Sequence, residues 1–67
     1  MKINLFKLDI ILARKEIPMC KLAKLSGISS SMLTKIKTGK QLARPITIGK
    51  IAKALDVDVL EIVDQED

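Results

Sequence analysis

Pro18, Gly27, Gly39 and Pro45 divide this chain into short segments, and the apolar residues inside each segment recur at helical spacing. Proline pushes the residue before it out of the α region and itself suits a first helical turn, so Pro18 ends one helix and opens another. Before it, Leu5, Leu8, Ile11 and Leu12 form one stripe, with Phe6, Ile10 and Ala13 beside it and Asn4 as N-cap. A second helix runs from Pro18 or Met19 to Leu25. Gly27 then stands where a short helix needs a residue able to take a positive φ. Ser29 caps a third helix, Ser30 to Lys37, which carries Leu33 and Ile36 inward with Met32 close by and is ended by Thr38-Gly39. After a loop over residues 39–46, a fourth helix is expected with Thr47 as cap, Gly49 in its first turn, and Ile48, Ile51, Ala52 and Leu55 inward. The pair Asp58-x-x-Glu61 marks a last short helix leading into Val59, Ile62 and Val63, and Gln65, Glu66 and Asp67 are read as a frayed end.

The expectation is an all-α, compact five-helix fold, a single domain over residues 1–67. Its 67 residues hold three Gly, two Pro and one aromatic side chain, Phe6, and Leu, Ile, Ala and Lys dominate. Such a chain is near the lower size for a core without metal or disulfides, and helices with local contacts are its easiest solution. Cys20 is the sole cysteine and there is no histidine, so neither an internal disulfide nor a zinc site can form. A reducing, cytoplasmic setting fits that inventory. No apolar run approaches the ~20 residues that cross a bilayer. No metal, cofactor or small-molecule ligand is implied. Asp56-x-Asp58 lacks the glycine of a calcium loop and has Val57, Val59 and Leu60 where ligands would be. Catalysis is hard to build, because six of the eight acids cluster in the last twelve residues.

The charges are segregated. Between Glu16 and Asp56 lie Lys21, Lys24, Lys35, Lys37, Lys40, Arg44, Lys50 and Lys53 without one acid. Residues 1–16 carry a net +2, that stretch +8 and residues 56–67 −6. A long one-sign stretch points to a partner of opposite sign. Within it, the spacing over residues 19–38 is the most specific signal. Leu22, Ile28, Leu33 and Ile36 fill the angle between two short helices, Gly27 makes the turn, and Ala23 is small where the second helix crosses. Residues 18–38 therefore read as a helix-turn-helix, and residues 58–67 as an acidic C-terminal helix and tail.

These residues resemble the lambda-repressor-like, Cro/CI-type helix-turn-helix domains, also called XRE-type regulators. The resemblance runs from Leu8 through Leu22-Ala23, Gly27-Ile28-Ser29, Ile36-Lys37-Thr38-Gly39-Lys40, Pro45 and Ile51-Ala52-Lys53-Ala54-Leu55-Asp56-Val57, nearly the whole chain. It implies a third helix in the DNA major groove, with Ser30, Ser31, Thr34 and Lys35 facing bases. With Leu33 and Ile36 inward, helical geometry agrees with that placement. Lys35 can donate to guanine, the hydroxyls to base edges or phosphates, and the Thr34 methyl can touch thymine. The positions for phosphate are Met19, Cys20 and Lys21 at the start of helix two, Ser29, and Lys37, Thr38, Lys40 and Arg44 after the reading helix. Two residues depart from the family pattern. Met19 replaces a common Gln, leaving that contact to backbone N–H groups. Lys37 replaces a common Glu that pairs with an Arg of helix one, and with Ile11 and Leu12 at the corresponding place that ion pair is expected to be missing, as in a subgroup of small bacterial regulators.

The resemblance implies a sequence-specific double-stranded DNA-binding transcriptional regulator, a repressor that occupies its operator. Useful affinity calls for a homodimer on two half-sites, with Phe6, Ile10 and Leu60 as candidate contacts, core packing being the competing reading of Phe6. Lys50 and Lys53 are expected away from DNA. The alternative is a protein-interaction module, an antitoxin or antirepressor on the same fold. An RNA-binding role lacks an aromatic stacking platform. A membrane-surface role is disfavoured because the basic residues are divided among three helices and a loop.

Overall fold

The computed structural model describes residues 2–64. Four α-helices, α1 (Leu5–Lys15), α2 (Met19–Ser26), α3 (Ser30–Lys37) and α4 (Pro45–Ala54), are followed by one 3-10 turn at Val59–Glu61. Two short strands, β1 (Lys2–Ile3) and β2 (Val63–Asp64), pair antiparallel, Lys2 opposite Asp64 and Ile3 opposite Val63. The frayed end expected at Gln65, Glu66 and Asp67 lies outside the described residues.

Mostly helical architecture is thus as expected, but the count of five helices is not. Asp58 and Glu61 do form the capping box: Asp58 Oδ1 accepts from the Leu60 N–H at 2.8 Å, and Glu61 Oε2 from the Asp58 N–H at 3.0 Å. The backbone then makes one 3-10 turn and leaves. β-Branched Ile62 and Val63 follow, and the Ile62 carbonyl accepts from the Asn4 N–H at 2.8 Å, so pairing with β1 takes the place of further helical turns. Asn4 joins both ends of the chain. Its side chain caps α1, accepting from the Lys7 N–H at 2.9 Å, and donates to Asp64 Oδ1 at 2.7 Å.

The start of α4 also differs. Thr47 was expected as its cap, yet the helix begins three residues earlier, with Arg44 at the N-cap and Pro45 at the first helical position. Proline there loses no hydrogen bond and brings a φ already suited to the helix. Thr47 is consequently buried, and Gly49 sits in the helix interior instead of its first turn.

The helices end in left-handed residues that accept the chain reversal. Gly27 (φ +74°) donates to the Ala23 carbonyl at 3.0 Å, ending α2. After α1 and α4 the same place is taken by Glu16 (φ +54°) and Asp56 (φ +56°). In both cases paired backbone bonds close the end, Glu16 to Ala13 and Ile17 to Leu12, then Asp56 to Lys53 and Val57 to Ala52. Neither position had been legible as a helix end of this type, because neither is glycine.

One core gathers Leu8, Ile11 and Leu12 of α1, Leu22 and Ala23 of α2, Ile28 and Leu33, Ile48, Ile51 and Ala52 of α4, and Leu55, Ile62 and Val63. α2 is the central element, packed on both α3 and α4. Because Leu8, Ile11 and Leu12 take the inward stripe of α1, Phe6 is turned out and is 74 % exposed, so core packing does not account for it.

Left-handed strain gives a test in two directions. Gly27→Ala meets no atom within 4 Å, so its expected cost of about 1 kcal/mol comes from φ alone. Glu16→Gly relieves the corresponding strain and should stabilise by about 0.5–1 kcal/mol after glycine's entropy cost. Urea unfolding of the two variants beside the parent checks both signs.

Candidate nucleic-acid interface

The turn at Gly27 sets α3 across α2, where Ala23 leaves room for it. Ser29 starts α3 cleanly: its Oγ accepts from the Met32 N–H at 3.1 Å, as expected of the cap. Leu33 and Ile36, each 2 % exposed, anchor one face of this eight-residue helix. Ser30, Ser31, Thr34 and Lys35 are all exposed, as the inward pair requires. Helix α3 is about 12 Å long, and the cross-section of an α-helix is one that a DNA major groove admits.

Hydrogen bonding within α3 limits what each hydroxyl offers outward. The Thr34 Oγ1–H donates to the Ser30 carbonyl at 2.9 Å, so Thr34 presents a methyl group and acceptor lone pairs. The Thr38 hydroxyl is used likewise, donating to the Thr34 carbonyl at 2.9 Å. Ser29 only accepts, and its O–H remains able to donate to an anion.

At the start of α2 there is no side-chain cap, since Pro18 holds the N-cap position. The Lys21 N–H bonds the Pro18 carbonyl at 3.0 Å, while the Met19 and Cys20 N–H groups have no partner among the described residues. Two open amides at the positive end of a helix suit a phosphate oxygen. Met19 is half-buried, Cys20 and Lys21 are exposed, and Lys40 and Arg44 are exposed in the loop after α3. Lys50 and Lys53 line a shallow groove with Leu25 and Ser26, at the opposite end of α2 from Met19.

Lys37 is placed otherwise than expected. Its Nζ lies 2.6 Å from Asp9 Oδ1, joining α1 to the last turn of α3. The ion pair between helix one and helix three is therefore present, with its polarity reversed. Ile11 and Leu12 had suggested an apolar replacement, but they belong to the buried stripe, and the polar partner is Asp9 on the exposed side of α1. The side chains are 35 % and 51 % exposed, so the pair contributes no more than about 1 kcal/mol. An i, i+3 reading of α1 outward from Phe6 would have found Asp9.

A family model described as the Cro/C1-type HTH DNA-binding domain matches residues 7–67. The chain belongs to that family. Neither a curated protein nor a solved structure gives a match. In this Cro/C1-type domain α2 and α3 are the helix-turn-helix, and membership makes it a DNA-binding regulator with double-stranded DNA as its partner.

The two roles open to Ser29 separate by substitution. Ser29→Ala should cost about 1 kcal/mol, whereas Ser29→Asp keeps the cap and stability but places an acid beside DNA and weakens binding. Thermal unfolding together with duplex titration of both variants measures the two effects apart.

Proposed function

We propose that this protein is a sequence-specific transcriptional regulator that represses by occupying its operator, with α3 in the major groove. The observation that carries the reading is the sidedness of α3: Leu33 and Ile36 are buried, and Ser30, Ser31, Thr34 and Lys35 are left outward on one rigid helix. Lys35 is the reader of guanine, donating to O6 and N7; Thr34 offers thymine its methyl; Ser30 and Ser31 contact base edges or phosphates. Around them the Met19 and Cys20 amides, Lys21, Ser29, Lys40 and Arg44 hold the backbone, whereas both donors of Thr38 are already given to the Thr34 carbonyl. Lys37 is the phosphate candidate with an acidic partner. The acids on and beside the 3-10 turn face away from DNA.

One such module, with ~3–5 phosphate contacts, binds weakly, so the working form is a homodimer on half-sites about one helical turn apart. Phe6 and Ile10 stand one turn apart on α1, and Ile10 lines a groove with Glu61, the neighbour of Leu60. Phe6 and Leu60 are 74 % and 56 % exposed, which leaves them free to form the contact between copies.

Anisotropy titrations with genomic fragments and a random duplex, across several salt concentrations, test this reading. The parent should show a steep salt slope and a preferred sequence. Lys35→Ala should lose the preference, and Lys40→Ala should weaken all duplexes alike and flatten the slope by about 0.9. Sedimentation of the complex should return two copies per duplex; one copy contradicts the dimer. Absent or salt-insensitive binding to every duplex would favour the protein-interaction module instead.

A further inference from the structure

Asp9 is the one acid found in an ion pair among the described residues, and its partner lies on the helix that carries the DNA-reading face. No acid occurs in sequence between Glu16 and Asp56, so the negative charge beside the end of α3 comes from another element, α1. Lys37 follows Lys35 by two residues and precedes Lys40 by three, in the last turn of α3 and its exit. Its ammonium is a compact charge on a flexible stem with three donors, of which Asp9 occupies one direction. The pair is exposed enough for water and salt to screen it. A phosphate oxygen offers the same charge-assisted bond as a carboxylate. DNA approaching this end of α3 therefore competes with Asp9 for Lys37 on nearly equal terms, and also brings its own negative charge towards Asp9.

We propose that Asp9 sets the DNA affinity of this domain by partner exchange: it holds Lys37 in the free protein and gives it up to a phosphate on binding. The inference rests on the proposed DNA face and adds to it a residue that never touches DNA. Asp9 acts through Lys37 and is an affinity-setting residue, not a reader. In the complex Lys37 counts as one of the phosphate contacts. In the free protein it is neutralised. The cost of breaking the pair is subtracted from every binding event, whatever the sequence of the duplex.

Titrations of Asp9→Asn, Lys37→Met and the double variant, at several salt concentrations on one preferred and one random duplex, read this out. Asp9→Asn should tighten binding about two- to fivefold on both duplexes, with its salt slope unchanged. Lys37→Met should weaken binding on both and flatten the slope by about 0.9. In the Lys37→Met background, Asp9→Asn should have a clearly smaller effect, because the charge it released is gone. Helical circular dichroism and thermal unfolding of each variant confirm that α3 is intact. Weaker or unchanged binding by folded Asp9→Asn, or an unchanged slope in Lys37→Met, overturns the exchange and leaves Asp9–Lys37 as a static tie. Loss of duplex binding by the parent itself would instead remove the DNA face on which the proposal stands.

Discussion

Helix α3 is eight residues long and is held to the molecule through Leu33 and Ile36. Alone, a helix of that length would not persist in water. It exists because Ser29 satisfies its first turn, Gly39 (φ +77°) accepts its last, Leu33 joins the core shared with α2, and Ile36 is buried beside Ile3, Leu5 and the loop after α3. The same anchoring fixes which way the other side points. A residue that is free to read a base must not also be needed by the core, and on α3 that division is clean. α2 in turn depends on α4, so burial of Leu22, Ile48 and Ile51 supports the orientation of Lys35 without any of them approaching the surface.

Electrostatics adds a second organisation to this frame. Three of the C-terminal acids are spent locally, Asp58 and Glu61 on their capping box and Asp64 on Asn4, which ties the last strand to the first helix. Asp9 differs from them because its partner belongs to the basic group. Its pair with Lys37 links α1 to α3 much as an apolar contact would, but it leaves both charges within reach of solvent and salt. A tie of that kind is weak enough to be exchanged, and it stands at the edge of the face proposed for DNA.

Much of this was legible in the sequence. Local signals were read well where one residue has one physical job: Asn4 and Ser29 as caps, Gly27 as turn, Leu33 and Ile36 as anchors all stand where expected. What failed required knowledge of a distant partner. Asp58 and Glu61 announce a helix start, but nothing near them says that Val63 will pair with Ile3. Thr47 is an excellent cap by type, and the advantage of Pro45 at the first position outweighed it. The family's place for the helix-one ion pair falls on buried Ile11 and Leu12, whereas the charge-reversed version comes from exposed Asp9, one turn before Leu12. Glu16 and Asp56 show the same limit, since left-handed acids at helix ends are set by the chain's path.

The proposed DNA face comprises α3 and the open start of α2, with α4 and the 3-10 turn away from it. Amide shift mapping of the labelled protein, titrated at low salt with a short duplex, addresses it residue by residue. The largest shifts are expected at Met19, Cys20, Lys21, Ser29 to Lys35, Lys40 and Arg44, with Lys50, Lys53 and Val59 to Glu61 near zero. Shifts confined to the side of α1 that carries Phe6 and Ile10, or spread over α4 with α3 silent, would contradict it.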